Sequence, residues 1–176
     1  PLGAFYGVQY AGVDPESGDA LYYLADGTKT SSWSKANQAA NYKYLGNPNP
    51  KHFGGITNSF EYKGIGLMIF GQWSYGNQIY HASGIFQSSG FTNFGLDNQT
   101  VEMMSYWKSP GQVTNVPRPQ LDMNNGARAS SRYLSDGSYF RFKTITISYT
   151  LPEKMVKKAK FNMVKVYVTG QNFFTI

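Results

Sequence analysis

Two long alternating runs separated by only two residues restrict this chain more than any other feature. The first, Phe53-Gly-Gly-Ile-Thr-Asn-Ser-Phe-Glu-Tyr62, carries Ile56, Phe60 and Tyr62 at one parity and Thr57, Ser59 and Glu61 at the other. Successive side chains of a strand point to opposite faces, so this run is a strand with one apolar and one polar side. The second run, Ile65 to Tyr75, sets Ile65, Leu67, Ile69, Trp73 and Tyr75 at its odd positions. With Lys63-Gly64 alone between them, the two runs form an antiparallel hairpin. Trp73 and Tyr75 end the apolar side with rings that carry a polar atom, as side chains at a membrane interface do. Runs of about 10 residues cross a hydrocarbon layer when tilted by ~45°.

Composition fits the same class. Aromatic residues make up 16% of the chain and glycine contributes 19 residues, whereas charged residues are 15%, against ~25% in an ordinary soluble domain. No stretch approaches the roughly 18 consecutive apolar residues of a membrane-crossing helix. The mean hydropathy of -0.41 would suit a soluble protein, but it also suits a barrel whose every second residue faces a lumen.

Further strands follow the same period. Residues 3–13 alternate with Ala4, Tyr6, Val8 and Tyr10 on one side, which predicts one strand. Residues 138–150 set Ile145, Ile147 and Tyr149 against Thr144, Thr146, Ser148 and Thr150. Residues 162–175 set Val164, Val166 and Val168 against Lys165, Tyr167, Thr169 and Gln171. Between them lie two long connections, 14–51 and 76–137. The first holds a Pro-Gly turn at Asp14 to Asp19, a short strand from Ala20 to Leu24 and a turn at Asp26-Gly27, then the stiff Asn47-Pro-Asn-Pro50. The second is too long for an ordinary connection, and one helix is expected there, from an Asn98 cap to about Trp107, burying Val101, Met103 and Met104. One or two helical turns are expected from Glu153 to Ala159, acid first and lysines last.

Loop lengths orient the strands. The turn at Lys63-Gly64 and the one at 151–161 fall on one side, and both long connections fall on the other, as with the short periplasmic turns and long extracellular loops of an outer-membrane barrel. Five positions resist the scheme. Asn58 falls on the apolar side, Met68 and Phe70 fall on the polar side, and Arg141 with Lys143 shares parity with Ile145, which calls for a bulge or for a strand that has left the bilayer.

Catalytic chemistry finds little support. Cysteine is absent, so there are no disulfides, thiolate metal sites or cysteine nucleophiles. His52 and His81 stand far apart with no nucleophile and acid in a recognisable motif beside them. Asp14, Glu16, Asp19 and Asp26 are the acids a glycosidase pair would need, and all sit on turns. The 14–19 turn has a calcium loop's acid count without its spacing, so no metal and no cofactor are expected. The net charge of +6 is spread along the chain without a nucleic-acid motif. Its densest cluster, Lys154, Lys157, Lys158 and Lys160, reads as a solvated turn or a contact with lipid headgroups. A soluble β-sandwich carbohydrate-binding module with no transport role would share the short strands and many aromatics. It would bury Ile65, Leu67, Ile69, Trp73 and Tyr75, which a barrel turns to lipid.

Several stretches carry a family resemblance. Asp136-Gly-Ser-Tyr-Phe-Arg-Phe-Lys-Thr-Ile-Thr-Ile-Ser-Tyr-Thr-Leu-Pro152 resembles the "DGSY-x-R-x-K/N-x-x-x-x-x-Y-x-LP" stretch of SusC/RagA-type TonB-dependent outer-membrane transporters, and Val164 to Thr175 is similar to their "R/K-V-Y-x-x-G-Q-N-L-F-T" strand. Pro1-Leu-Gly-Ala-Phe-Tyr-Gly7, Gly46-Asn-Pro-Asn-Pro-Lys51, and Trp107-Lys-Ser-Pro with Val116-Pro-Arg118 resemble further motifs of that family in the same order.

The resemblance implies an all-β fold: an antiparallel transmembrane β-barrel segment, the C-terminal part of a 22-stranded barrel in the outer membrane of a Gram-negative bacterium. Its strands would be about 3–13, 53–62, 65–75, 138–150 and 162–175, with extracellular loops at about 14–51 and 76–137. Plug domain and final strands would lie outside these 176 residues, as a start at Pro1 and a stop at Ile176 inside a strand also suggest. It further implies import of glycan oligosaccharides or peptides without chemical change, a SusD-like surface lipoprotein as lid, and a TonB complex acting through other parts. On that footing Tyr80, Phe86, Phe91, Phe94 and Trp107 are candidates for substrate or partner contact. Tyr62, Trp73, Tyr75 and Tyr149 are candidates for the membrane-interface girdle.

Overall fold

The structure, a computed structural model, describes residues 3–88, 97–120 and 125–176. Its strands are β1 (Phe5–Gly7), β2 (Tyr10–Val13), β3 (Ala20–Tyr23), β4 (Lys29–Thr30), β5 (Lys43–Gly46), β6 (His52–Tyr62), β7 (Ile65–Tyr75), β8 (Gln78–Tyr80), β9 (Leu134–Asp136), β10 (Tyr139–Thr150) and β11 (Lys165–Thr175). Three short helices join them: α1 (Trp33–Ala36), α2 (Gly84–Gln87) and α3 (Glu153–Lys158). The chain divides into two units. Residues 49–77 and 137–176 form one, and residues up to 48 with 78–136 form the other.

The first of these units is a single antiparallel sheet in the order β11-β10-β7-β6. Its hairpin is unbroken from His52↔Tyr75 to Tyr62↔Ile65. Pairing puts Ile56, Phe60 and Tyr62 beside Gly71, Leu67 and Ile65, and Ile145, Ile147 and Tyr149 beside Ile69, Leu67 and Ile65. Val166 and Val168 extend the stripe across β11. The other face carries Thr57, Ser59, Glu61, Thr146, Ser148 and Thr169, and there the hydroxyls of Thr146 and Thr169 share a hydrogen bond of 2.9 Å. The apolar face is exposed: Phe60 is 61% and Val168 74% accessible. A sandwich module would cover this face with a second sheet, so the exposure weighs against that alternative.

Arg141 and Lys143 share their parity with Ile145 because the strand bulges. The register of β10 slips between Phe142 and Thr144 against both neighbours: Lys143 is the extra residue against β7, and β11 in turn sets Asn172 and Phe173 opposite it. Below the slip the odd residues face the apolar side; above it Phe140 and Phe142 do, opposite Trp73 and Gly71. Arg141 is thereby returned to the polar face opposite Gln72, where its Nε donates to the Thr175 hydroxyl at 2.8 Å. A bulge is the one device that flips parity within a continuous strand.

Phe70 on the polar face also has a local cause. A Cβ built on Gly55 would lie 2.8 Å from the Phe70 ring, so the ring covers a glycine on the neighbouring strand. Trp73 does the same for Gly54 and Phe140 for Gly71 on the apolar face. Such aromatic cover pins register where a glycine offers no side chain. Nothing in the structure explains Asn58 or Met68.

The expected single strand over 3–13 is replaced by two short ones in the other unit. β1 pairs with β5, and β2 pairs with β3, slipping register between Tyr10 and Gly12. The shared side predicted for Tyr6 and Val8 is broken accordingly: Tyr6 is 65% exposed and Val8 2%. Val8 sits with Ala20, Tyr22 and Ala36 in a small core, against which Tyr10, Leu24, Trp33 and Tyr42 pack. β8 and β9 form a separate pair. The helix expected from Asn98 is a 3-10 turn over Val101–Ser105, capped by the backbone of Thr100 without a side-chain bond. Met103 is buried, whereas Val101 and Met104 are exposed.

All three chain crossings between the units, at 48–49, 77–78 and 136–137, leave from the end of the four-stranded sheet that carries His52, Tyr75 and Tyr139. The two tight connections, Lys63-Gly64 and 151–164, occupy the opposite end.

Candidate functional site

The loop-rich unit is organised around the 14–19 turn. Asp14 accepts from the Glu16 N–H at 2.9 Å and from the Ser17 hydroxyl at 3.0 Å. These two bonds, the backbone one first, hold its carboxyl below the usual carboxylate range. Thr28 does the same for Asp26, through its hydroxyl first and then its N–H. The Gly18 N–H closes the turn onto the Asp14 carbonyl at 2.8 Å.

Trp107 and Arg118 then grip that turn from a segment about a hundred residues away. Trp107 Nε1 donates to the Pro15 carbonyl at 2.8 Å, and its ring lies where a Cβ on Gly18 would stand, 2.5 Å from Cε3. Gly18 also has φ of +75°, a conformation other residues adopt only with strain. The Arg118 N–H donates to the Gly18 carbonyl at 2.9 Å, and its guanidinium reaches Asp19 at 2.9 Å. Asn125 completes the clamp by accepting from the Ala20 N–H and donating to the carbonyls of Gly18 and Arg118. A turn held by this many long-range bonds is a rigid platform.

Beside it stands an aromatic cluster that sequence reasoning missed. Tyr10 meets Tyr22 edge-on at 6.0 Å, and Tyr22 meets Trp33 edge-on at 5.2 Å. The Arg132 guanidinium lies over the rings of both Tyr10 and Tyr133 and donates to the Gly126 carbonyl at 3.0 Å. Burial raises the phenol pKa of Tyr10 and Tyr133, against an opposing pull from Arg132. Tyr22 is pushed up to about 12 by burial in the same way. These phenols are neutral at physiological pH, and those of Tyr10 and Tyr133 donate to the carbonyls of Asn115 and Gly126. No short motif announces the cluster, since Tyr10 and Ser131, joined at 2.9 Å, are 121 residues apart.

Two cavities open on this unit. One of about 460 Å³ is lined by Tyr10, Tyr23, Glu102, Asn115, Ser131 and Arg132. The other, of about 290 Å³, includes Tyr22, Trp33, Arg118, Gln120, Asn125 and Arg128. No group of carboxylates and histidines able to hold a metal occurs among the described residues.

The aromatics singled out from the sequence do not form one site. Tyr80 lies in β8 against Phe5, ring centroids 6.1 Å apart, and burial raises the pKa of its hydroxyl. Trp107 is the clamp described above, and Phe86, in α2, is 53% exposed. Phe91 and Phe94 lie outside the described residues. Of the four girdle candidates, Tyr62 and Tyr149 stand at the tight-turn end of the apolar face, and Trp73 and Tyr75 stand at the loop end. The 11 residues of β7 between those ends, rising ~3.4 Å each at a tilt of ~45°, cover about 24 Å, the height of a barrel's apolar band.

An exposed apolar face of that height and a polar reverse face, with the long connections leaving from one end of the sheet, define a wall segment of a transmembrane β-barrel. No family profile matches the chain. Individual proteins do. The TonB-dependent receptor P3 of Formosa agariphila is 32% identical over 189 residues, covering 99% of this chain and 18% of the receptor. The TonB-dependent receptor P26 of the same organism is 28% identical over 128 residues, covering 73% of this chain and 13% of its own. Among solved structures, that of the RagAB peptide transporter matches with a TM-score of 0.81 at 23% identity, over 98% of this chain and 19% of that one. The RagAB peptide importer in its open-open state matches with a TM-score of 0.74. The chain belongs to the TonB-dependent receptors and has the fold of the RagAB transporter, and it spans 13–19% of the length of these relatives.

Proposed function

We propose that this chain supplies part of the barrel wall and of the extracellular face of an outer-membrane transporter that imports nutrients with energy delivered through TonB. The observation that carries the reading is the four-stranded sheet itself, apolar and exposed on one side, polar on the other, with its large connections at one end. Lipid would meet Ile65, Leu67, Ile69 and Val168, with Tyr62, Tyr149, Trp73 and Tyr75 in the two interfacial girdles. The polar reverse face would line the lumen. On this reading the segment lies in the C-terminal part of the barrel, and its loop unit meets substrate and a SusD-like lipoprotein lid.

The substrate would be a glycan oligosaccharide or a peptide. RagAB is described as a peptide transporter, and the two cavities mix aromatic faces with amide, hydroxyl and guanidinium groups, which suits either class. Of the five aromatics considered, Phe86 is exposed and suited to direct contact, while Trp107 would act by holding the platform. The test is growth of the source organism, with this gene deleted, on a panel of glycans and peptides as sole nutrients. Loss of growth on one class is expected. Unchanged growth on every one would sink nutrient import as the role.

A further inference from the structure

At the tight-turn end of the sheet the charge is one-sided. The Thr150 N–H donates to the Gly64 carbonyl at 2.8 Å, which ties the Lys63-Gly64 turn to the start of the 151–164 connection. That connection is folded: the Leu151 N–H donates to Val164 and the Phe161 N–H to Val156, and Val156 is 4% exposed. Together the two turns present Lys63, Lys154, Lys157, Lys158 and Lys160 against a single carboxylate, Glu153, which pairs with Lys157. Met155, Phe161 and Met163 stand among these lysines at 60%, 58% and 68% exposure.

The cluster adjoins the rim of the apolar face. Tyr62 and Tyr149 end that face at this turn, and the Lys63 ammonium lies 5.2 Å over the Tyr62 ring. Going beyond the transport reading but resting on its membrane placement, we infer that the 151–164 turn with Lys63 is a docking surface for anionic phospholipid headgroups of the inner leaflet, such as phosphatidylglycerol. Three features favour this occupant. The lysines begin where the hydrocarbon-facing residues end, which is the depth of the headgroups. Lysine is a compact ammonium suited to a phosphate as a point charge. The exposed methionines and phenylalanine fit the boundary between headgroup and acyl chain better than open water.

The test uses the full-length receptor in nanodiscs of phosphatidylethanolamine with or without phosphatidylglycerol, and native mass spectrometry to count the lipids retained. Wild type is expected to retain phosphatidylglycerol preferentially, less so as NaCl rises. The variant K154Q/K157Q/K158Q/K160Q is expected to lose more than ~10-fold of that preference, since each lysine near an anionic surface contributes roughly fivefold, whereas the four Lys→Arg changes retain it. A folded, heat-modifiable barrel whose preference survives the glutamines overturns the inference alone. So does a preference that goes to soluble peptidoglycan fragments instead. A receptor that forms no barrel in the outer membrane overturns the transport reading as well.

Discussion

Ile145 and Thr146 are neighbours in sequence and point to opposite worlds, which makes them the sharpest test of the sheet's two faces. Ile145 pairs with Ile69 and Gly170, near the middle of the apolar band, whereas Thr146 pairs with Met68 and Thr169 on the polar side. Ile145→Arg places a charge in the hydrocarbon near its midplane, a cost of about 2–4 kcal/mol. Loss of the isoleucine's own burial adds ~1.5 kcal/mol. Thr146→Arg leaves its charge in water and forfeits one exposed hydroxyl bond, about 1 kcal/mol. In the full-length receptor folded into phospholipid vesicles, the two variants should therefore differ by at least ~2 kcal/mol. Urea unfolding, followed by loss of heat-modifiable migration on gels, measures that difference. If Thr146→Arg proves as damaging as Ile145→Arg, the assignment of faces is wrong and the membrane reading falls with it.

Three further outcomes follow from particular contacts. Deleting Lys143, the extra residue against β7, lets Phe142 and Thr144 follow one another opposite Gly71 and Phe70 with Arg141 kept opposite Gln72, so outer-membrane levels of the receptor should stay close to wild type, whereas deleting Ile147 from the regular part of the strand turns part of it over and should lower them sharply; equal losses would refute the bulge. Trp107→Ala removes the ring over Gly18 and should loosen the 14–19 turn by about 3 kcal/mol, the low end for loss of a large side chain. It should be seen as faster hydrogen exchange at the Gly18 and Arg118 amides with β6 and β7 unchanged. Tyr22 ionises late, with its pKa pushed up to about 12 by burial, so its contribution is complete below pH 10 and is lost as pH rises toward 12. Ultraviolet titration should show phenols ionising in that window together with opening of the loop unit, and Tyr22→Phe should remove one phenol from the late step, leaving those of Tyr10 and Tyr133.

What could be read from the chain alone was whatever depends on neighbours in sequence. The period-2 alternation of Ile56 to Tyr62 and of Ile65 to Tyr75, and the two residues between them, define a hairpin and its faces, because a strand's side-chain directions are set by its own backbone. The family motifs were legible for the same reason, being contiguous. Residues 3–13 misled because their alternation is compatible with a strand but does not name its partner, and register slips at Gly12 and Lys143 change parity without any local sign strong enough to place them. The clamp of Trp107 and Arg118 on Gly18, and the stack of Arg132 on Tyr10 and Tyr133, arise only when segments some hundred residues apart meet. Tertiary structure decided those contacts, since their partners are selected by packing in three dimensions and leave no period in the sequence.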